Sequence, residues 1–451
     1  MSDQDQERLL ESVRRVLEGG DGRDGEAFEA AHSSDVAGIL QHLPLEQQVA
    51  LFRRLSAERA GEILPSLDDT TLLALVRALD EVEVSRILDE MPPEHAAGVV
   101  DELPRDEAEK ILELMEEEHS EDVQEILEYP EHSAGRLMSP DFVAVREDVT
   151  VEEAIRHIRG LRESVAVERA SELYVVDGHR HLVGVVPPLR LLIADPRSTV
   201  HAIRDEHVVS VPTNMDQEEI ARVVAKYDLE AVAVVDGQHR LMGTISAGDV
   251  VAVLGEEATE DIFRIAGSDA AELERRSPRQ IALMRMPWVL ATLVIELGAG
   301  VIIHYFDQTL GKVILLASFM PVIQAISGNT GLQSVTMVVR GLATGHVQLS
   351  RWWEPLRRQV QTSSILGGVC ALVVGAVGLL WHSAAFALVV SVSMFASVNL
   401  SGFAGTMIPM LSKRLGFDPA ITAGPFETAL QDVLGVTIFL SLATALLRWL
   451  T

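Results

Sequence analysis

The charged residues of this 451-residue chain are divided very unevenly along its length. Residues 277–451 contain only six acidic and ten basic side chains, whereas residues 1–276 contain 61 and 27. The first part therefore carries a net charge of about −34 and the second about +4, which together give the formal −30 of the chain. This division predicts an acidic, water-soluble half joined to a nearly charge-free, apolar half.

The strong negative charge of the first half excludes some partners. Binding to nucleic-acid phosphates requires a basic face, so the composition argues against a nucleic-acid partner. An acidic surface suits cations, although most acidic helix faces in proteins are simply solvated. The single cysteine, Cys370, lies in an apolar stretch, which leaves neither a disulfide nor a cysteine metal site within the chain. The amino-terminal segment lacks the apolar core of a signal peptide, so we expect the acidic half in the cytosol.

Residues from about 30 to 128 have the pattern of consecutive short amphipathic helices. Apolar residues recur at helical spacing, as in residues 72–79 and 84–91. Prolines mark the boundaries, because proline suits a helix start and breaks a helix interior; they are Pro44, Pro65, Pro92, Pro93 and Pro104. This pattern predicts a loose helical repeat that buries one face by stacking, and that serves as a scaffold.

A strand–turn–strand pattern occurs twice between about residues 134 and 261, with a period of about 59 residues. Each copy has a β-branched run, an Asp-Gly turn and a second short run that ends in Gly184 or Gly243. A helical stretch precedes each copy, at residues 151–161 and 216–227. We therefore predict a duplicated α/β module.

Long apolar runs follow Pro287, near residues 287–306, 313–338, 363–381, 384–411 and 424–447. Each approaches or exceeds the roughly 20 residues that cross a bilayer core. Basic residues concentrate in the second and fourth connections, for example Arg340, Arg358 and Lys413. The positive-inside rule then predicts a multi-pass protein with its amino terminus in the cytosol and, after five spans, its carboxyl terminus outside.

Four motifs, in this order, resemble those of the MgtE family of magnesium transporters. Residues 129–138 (YPEHSAGRLM) are similar to the family's entry into its first CBS module, and residues 328–333 (GNTGLQ) to a signature in its second membrane helix. Residues 416–420 (GFDPA) and 424–435 resemble its last loop and last helix. The resemblance covers nearly the whole chain and implies a multidomain fold: an all-α helical-repeat amino-terminal domain, an α/β tandem CBS pair and a five-helix transmembrane domain.

The resemblance also implies domain boundaries, an assembly and a location. We expect the acidic helical domain in residues 1–130, the CBS modules in 131–199 and 200–259, a linking (plug) helix in 260–280, and the pore domain in 281–451. One pore acid per chain fits a homodimer, and the expected location is the cytoplasmic membrane. Mg²⁺ is the expected transported and regulatory ion.

Asp432 is the residue most expected to contact the transported ion. A carboxylate in an apolar helix is costly unless water or a cation meets it, so such residues usually mark an ion path; a local hydrogen bond near a helix end is the alternative. The resemblance makes Asp432 the selectivity residue, paired with its copy from a second protomer. Asn329 would complete the outer shell of a hydrated Mg²⁺. Gly328 and Gly331 would permit close backbone approach, or serve packing alone.

Two further acids lie in the apolar half. Glu427 precedes Asp432 by five positions, where the family generally has no acid, and would either add a cation-attracting charge at the pore mouth or face water. Glu296 lies in the first span, away from any matched motif, and is interpreted as an interhelical hydrogen bond or a protonated acid.

The resemblance implies that cytosolic carboxylates bind regulatory Mg²⁺ and that the ion-filled state presses the linking helix onto the pore. Bridging of acidic domains by a dication would shift a two-state equilibrium. The carboxylates carried over are Asp216, Glu218, Asp228, Asp249, Glu257, Glu260 and Asp261. Gly248 and Ala252 depart from positions that are acidic in some relatives, which suggests fewer or weaker regulatory sites.

Ser246 and Asp249 resemble the Ser/Thr-x-x-Asp pair that holds a ribose in nucleotide-binding CBS modules. The first module has residues 186–189 (VPPL) at this point and lacks the pair. One nucleotide site, for ATP, is therefore expected in the second module, with a purely structural turn as the alternative.

Two other functions are compatible with the sequence. The transported ion could be Co²⁺, Mn²⁺ or Ca²⁺, because ordinary ligand affinities do not favour Mg²⁺. The chain could instead be a membrane-anchored nucleotide sensor without transport. An enzyme is not expected, since the sequence contains no recognisable nucleophile–base pair, phosphate loop or His/Cys metal spacing, and we predict no catalytic residue.

Overall fold

The computed structural model describes residues 31–161, 172–268 and 277–446. The chain divides into two compact units, residues 1–254 and residues 255–451. Each unit has its own apolar core.

The first unit begins with short helices that share one continuous apolar core. Prolines lie where the sequence predicts: Pro44 and Pro104 precede helices as N-caps, and Pro93 occupies the first turn of another. Pro65 instead lies within a short 3₁₀ helix, residues 64–66. The helices are α1 (Ser33–Leu40), α2 (Leu45–Phe52), α3 (Ala57–Ile63), α4 (Asp69–Ala78), α5 (Glu81–Asp89), α6 (Pro93–Asp101), α7 (Arg105–Leu114) and α8 (Glu117–Leu127).

Two three-stranded sheets follow in the same unit, and each has the order expected of a duplicated module. In each sheet a parallel pair is followed by an antiparallel hairpin, with the same irregularity one residue before the hairpin's first strand ends. The elements are α9 (Ala134–Leu137), β1 (Ala144–Arg146), α10 (Val151–Gly160), β2 (Leu173–Val176), β3 (Leu182–Val186), α11 (Pro188–Ile193), α12 (Val200–Ile203), β4 (Ser210–Pro212), α13 (Gln217–Tyr227), β5 (Ala231–Val235) and β6 (Leu241–Ser246).

Gly184 and Gly243, which lie at the ends of the repeated runs, have equivalent structural roles. A β-carbon at Gly184 would lie 2.6 Å from the carbonyl oxygen of Asp205, and one at Gly243 would lie 2.6 Å from that of Ser139. Real β-carbons do not approach backbone oxygens so closely. Both positions therefore require glycine, because a neighbouring backbone segment passes close to the strand at the same point of each module. The predicted internal duplication is therefore confirmed in three dimensions.

A long helix, α14 (Ala247–Ile265), begins directly after β6. The linking helix was predicted to start near residue 260, but the structure shows no break there, because residues 247–265 contain no proline and no glycine pair to interrupt the helical hydrogen bonds. The later part of the predicted linking segment, residues 269–276, lies outside the described residues.

The second unit contains the long helices of the apolar half. All five predicted spans correspond to long helices, and four of them are long and apolar enough to cross a membrane within the described residues. The remaining long helix is the second in chain order, α17. It carries Gln324, Asn329 and Gln333 among its apolar residues, and these polar side chains lower its mean hydropathy. The helices are α15 (Pro278–Tyr305), α16 (Asp307–Lys312), α17 (Leu315–Ala343), α18 (Trp353–Trp381), α19 (Ala384–Arg414) and α20 (Pro425–Ala445).

Several of these helices are longer than the apolar runs from which the spans were predicted. Helix α15 begins nine residues before Pro287, and α18 begins ten residues before residue 363. Hydropathy marks only the apolar part of a helix, whereas polar first turns can continue into water. Pro287, Pro321 and Pro409 lie inside helices rather than at their ends, a position that membrane helices tolerate more readily than soluble ones.

Candidate functional site

Asp432 lies on α20, on a part of the helix that packs against α15. Its side chain is half-buried and forms a side-chain hydrogen bond with Glu296 of α15. Two carboxyl groups this close repel each other when both are ionised, so a proton or a cation must lie between them. The structure therefore pairs Asp432, the acid that the sequence singled out, with Glu296, whose partner the sequence could not identify.

Helix α17 carries the glycine-rich motif and presents two different faces there. Asn329 and Gln333, one turn apart, lie on its exposed face, whereas Gly331 is buried against the bundle. A β-carbon at Gly331 would collide with the Glu427 carboxylate and lie 2.5 Å from Ser401 Oγ. A β-carbon at Gly328 would meet Gln431 Oε1 only at 3.4 Å. Gly331 is thus required for close packing, and Asn329 remains available to a group outside the protomer.

Glu427 lies in the interior of the protomer's own bundle. It is 0% exposed, and neither carboxylate oxygen forms a hydrogen bond within the part of the chain that the structure describes. Gln431, one turn further along α20, is 2% exposed, and both ends of its amide are likewise without partners there. This burial contradicts a water-facing position, one of the two alternatives that the sequence left open, whereas a position at the pore mouth stays a prediction.

In the first unit, three of the predicted regulatory carboxylates belong to α13. Asp216 caps the start of this helix, with its carboxylate accepting a hydrogen bond from the Glu218 backbone N–H at 2.9 Å. Glu218 forms an ion pair with Arg222 at 2.5 Å. Asp228 ends the helix in the left-handed conformation, with φ of 51°. Since α13 has 11 residues, its two ends are about 16 Å apart, so Asp216 and Asp228 cannot share one ion in this chain.

Ser246 and Asp249 contact each other at the start of α14. The Asp249 carboxylate accepts hydrogen bonds from the Ser246 hydroxyl at 2.6 Å and from its backbone N–H at 3.1 Å. The Asp249 N–H in turn donates to Ser246 Oγ at 3.2 Å. His95 Nε2 of α6 lies 4.0 Å from Asp249 Oδ1, which brings the helical part of the first unit next to the second module.

A cavity of about 310 Å³ adjoins this pair within the first unit. Burial raises the pKa of Glu172, and the nearby Glu230 carboxylate raises it further. Burial also raises the pKa of Tyr174, whose hydroxyl forms no hydrogen bond to any described residue. Five carboxylates, four hydroxyls and two aromatic rings are among the lining residues: Glu94, Ser139, Asp141, Phe142, Val143, Glu172, Tyr174, Glu230, Ala231, Thr244, Ser246 and Asp249.

The remaining predicted regulatory acids lie in the second unit, on the last two turns of α14. Glu257 and Asp261 are four residues apart and so share a face, next to Glu260. Glu260 pairs with Arg264, which also pairs with Asp418 in the connection between α19 and α20. Ile265 packs against Ala420 and Ala423 of the same connection.

Gly424 makes this contact possible. It has φ of 64° and lies so close to the Ile265 carbonyl that a β-carbon at residue 424 would overlap that oxygen. The end of α14 is therefore fixed to the loop that leads directly into the helix carrying Asp432.

The predicted metal ligands do not form a compact cage within one chain. In the described ranges, no group of three or more His, Cys, Asp or Glu side chains is arranged to hold a metal ion. The carboxylates are instead distributed between the two units, as isolated groups or pairs.

Comparison with known protein families supplies the remaining evidence. Residues 320–442 match the family described as MgtE, divalent cation transporter, residues 31–132 match the MgtE intracellular N domain, and residues 134–196 and 200–256 match the CBS domain. The magnesium transporter MgtE of Thermus thermophilus is 33% identical to this chain over an alignment 475 residues long. The alignment covers 98% of this chain and 99% of the relative. The chain belongs to the MgtE family.

Other MgtE proteins and solved structures agree. The magnesium transporter MgtE of Bacillus subtilis is 30% identical over 92% of both chains. A crystal structure of the cytosolic domain of the Mg²⁺ channel MgtE in complex with ATP has a TM-score of 0.51 and 32% identity, and covers 54% of this chain and 99% of its own. The soluble part of a magnesium transporter has a TM-score of 0.50 and 25% identity, and covers 56% of this chain and 99% of its own. The predicted family and fold class are confirmed.

Glu296 was interpreted from the sequence as an interhelical hydrogen bond or a protonated acid, and the structure places it in an interhelical hydrogen bond with Asp432. An acid inside an apolar span is by default a functional candidate, and that signal was present. Its partner was not visible, because contact between α15 and α20 joins residues 136 positions apart, and no short motif covers such a distance.

Proposed function

We propose that this chain is a Mg²⁺ channel whose ion path runs beside Asp432 and Glu296. The observation that carries the proposal is the interhelical contact between these two carboxyl groups within apolar helices. Such a pair attracts a dication strongly, because the bilayer offers neither acid another way to be stabilised. A passing cation neutralises both groups at once.

The proposed path suits a hydrated ion. Mg²⁺ loses its water slowly and prefers octahedral oxygen coordination, so carboxylates can hold it through its first water shell. Asn329 and Gln333 on the exposed face of α17 supply neutral polar groups that face away from the protomer's own core. This exposed polar face in an apolar half supports a homodimer in which a second chain completes the path. Entry and exit remain fast, because the ion is never stripped bare.

We further propose that cytosolic Mg²⁺ closes the path through α14. Glu257, Glu260 and Asp261 lie on its last turns, and Arg264 ties that end to Asp418 before α20. Binding of Mg²⁺ to the acids would favour one position of α14, and the loop contact would transmit that position to the pore helix. Asp216, Glu218, Asp228 and Asp249 would contribute the other regulatory ligands, each shared with a group outside its own element.

ATP is the proposed ligand of the cavity beside Ser246 and Asp249. The related cytosolic domain solved with ATP supports this assignment. Phe142, Val143 and Ala231 offer an apolar surface for a base, while Ser246 and Asp249 offer hydroxyl and carboxylate groups for a ribose. The surrounding carboxylates would repel free phosphates, so the nucleotide is expected to bind as its Mg²⁺ complex.

Basic residues in the connections support the proposed orientation in the cytoplasmic membrane. Arg351, Arg357 and Arg358 precede or begin α18, and Lys413 and Arg414 end α19. With these residues inside, the amino terminus is cytosolic and the carboxyl terminus lies outside.

The test is Mg²⁺ uptake into liposomes by the purified full-length protein. Asp432→Asn preserves shape and removes the charge, and Glu354→Gln is the matched control, since Glu354 is an exposed acid at the start of α18. Uptake should fall about tenfold or more in the first variant, which corresponds to about 1.4 kcal/mol or more, and persist in the second. Equal uptake in both would refute the proposed path. Competition by Co²⁺, Mn²⁺ and Ca²⁺ in the same assay identifies the preferred ion.

A further inference from the structure

Four buried polar residues of α19 and α20 form a feature that the proposed ion path does not use. We call Ser393, Ser397, Glu427 and Gln431 the polar seam. Each is at most 2% exposed. Six of their side-chain atoms (both oxygens of Glu427, both amide atoms of Gln431 and the two serine hydroxyls) form no hydrogen bond within the described residues.

Such a concentration of unsatisfied groups requires an explanation. An unpaired buried hydroxyl or amide destabilises the folded state, and an unpaired buried carboxylate destabilises it more. Elsewhere in the same bundle, buried hydroxyls are satisfied: Ser401 Oγ donates to the Ser327 carbonyl at 2.6 Å, and Thr406 Oγ1 to the Gly402 carbonyl at 2.8 Å. The polar seam is therefore exceptional within its own surroundings.

The contacts of three members of the polar seam, Ser397, Glu427 and Gln431, place their side chains between α17, α19 and α20. The Gln431 amide lies between the positions that side chains would take at Gly328 of α17 and Gly435 of α20, and Ser397 Oγ approaches Gly435 in the same way, at 2.8 Å. One turn away, the Glu427 carboxylate occupies the space left by Gly331. Because these glycines have no side chains, the oxygen atoms of the polar seam have space in the interior of the bundle.

We propose that the polar seam binds one dehydrated monovalent cation of the size of Na⁺ in each protomer. Its available ligands are a carboxylate, an amide oxygen and hydroxyls, which are the oxygen donors that hard cations prefer. The one carboxylate of the polar seam balances one positive charge, so a monovalent ion leaves these four residues neutral together. A dication would leave an excess charge in a medium of low dielectric constant.

The close packing also argues against Mg²⁺ at this position. Mg²⁺ keeps several of its waters in protein sites, and these require additional space. At Gly331 the Glu427 carboxylate already fills the space beside α17 and Ser401. A bare Na⁺ gives up its waters more readily and can be held by protein oxygens alone.

The experiment measures binding of radioactive Na⁺ to the purified full-length protein in detergent, with choline replacing Na⁺ to hold ionic strength constant. We expect one saturable Na⁺ per chain, competition by Li⁺ or K⁺, and loss of binding in Glu427→Gln. Ser397→Ala removes one hydroxyl and should weaken binding about tenfold. Glu354→Gln, an exposed acid in the same half, is the control and should bind Na⁺ normally.

Thermal unfolding supplies a second readout that does not depend on Mg²⁺ conduction. Na⁺ should raise the unfolding midpoint of the wild-type protein and of Glu354→Gln, but not that of Glu427→Gln. If Glu427→Gln does not yield a monodisperse protein, Ser397→Ala carries the test by its weaker Na⁺ binding. The proposal is overturned if no saturable Na⁺ binds, if Glu427→Gln binds it equally well, or if only Mg²⁺ shows Glu427-dependent binding. The first outcome indicates a protonated Glu427 with internal water.

Discussion

Acidic residues have opposite surroundings in the two halves of this molecule. In the first unit they are numerous and have local partners: Asp216 caps a helix, Glu218 pairs with Arg222, and Asp249 accepts hydrogen bonds from Ser246. In the apolar half they are few, and Glu427 has no hydrogen-bond partner among the described residues. Acids with partners can remain ionised without a metal, whereas acids in an apolar bundle need a proton or a cation.

This contrast suggests a division of labour. Solvated carboxylates can respond to the cytosolic Mg²⁺ concentration, because binding and release change their energy only modestly. The energy of a carboxyl pair such as Glu296 and Asp432 changes far more on cation binding and release, because the surrounding apolar helices do not solvate the charges. The position of a charge, rather than the number of charges, distinguishes the proposed conducting groups from the proposed sensing groups.

The largest expected effect is at the carboxyl pair. Asp432→Asn should lower Mg²⁺ uptake about tenfold or more, and Glu296→Gln should lower it about threefold to tenfold, since each removes one of two charges that face the ion. In the double variant the loss should be smaller than the product of the single losses, because the two groups act as one site. Uptake into liposomes by the four proteins measures this coupling. Independent, multiplicative losses would show that Glu296 and Asp432 act separately.

Packing at Gly331 provides the next largest effect. Gly331→Ala should destabilise the protein by about 1–3 kcal/mol, because the added methyl group collides with the Glu427 carboxylate. Gly328→Ala is the matched control, since its nearest contact is 3.4 Å and should be tolerated. Thermal unfolding in detergent compares the two variants. Equal midpoints would mean that the carboxylate does not occupy the space beside Gly331.

A moderate effect is expected where α14 meets the loop before α20. Arg264→Gln removes the ion pair with Asp418 and should weaken inhibition by cytosolic Mg²⁺ about fivefold, within the usual range of coupling between sites. Uptake at low Mg²⁺ should change little, because the Arg264–Asp418 pair lies in the connection before α20 and is not part of the Glu296–Asp432 carboxyl pair. Arg357→Gln, an exposed arginine on α18, is the control. Unchanged inhibition in Arg264→Gln would remove this contact from the regulatory route.

The smallest expected effect concerns the cavity of the first unit. Ser246→Ala should weaken ATP binding about threefold to tenfold, because one hydrogen bond to a ribose is lost together with the contact that orients Asp249. Isothermal titration of the full-length protein with ATP and Mg²⁺ measures the change. Val186→Ala, at the corresponding position of the first module, should bind ATP like the wild type. The reverse ranking would place the nucleotide in the first module.

The sequence predicted much of this fold because its signals are local. Periodic apolar residues, helix-starting prolines and a period of about 59 residues are each visible within a short window. The predictions that differ from the structure concern features that are not determined within such a short window. Helix α14 continues through the expected domain boundary, and α15 begins before Pro287, because neither feature is determined by the residues at the boundary alone.

The candidate sites depended more heavily on contacts between distant residues. Asp432 could be predicted from its own position in an apolar helix, and so could the Ser246–Asp249 pair from its spacing. The partnership of Glu296 with Asp432 and the burial of Glu427 against Gly331 could not, since both arise from packing between helices far apart in sequence. The tie between Arg264 and Asp418 joins residues 154 positions apart and was hidden for the same reason.

The most direct test of the proposed division of labour is Mg²⁺ flux through reconstituted protein at low and high Mg²⁺ on the side of the cytosolic domain. The proteins compared are the wild type, Asp432→Asn, and the triple variant Glu257→Gln, Glu260→Gln, Asp261→Asn. We predict that Asp432→Asn loses flux at both concentrations, whereas the triple variant keeps normal flux at low Mg²⁺ and resists closure at high Mg²⁺. Normal flux in Asp432→Asn, or loss of flux at low Mg²⁺ in the triple variant, would contradict the assignment of conduction to the membrane acids and sensing to the soluble ones.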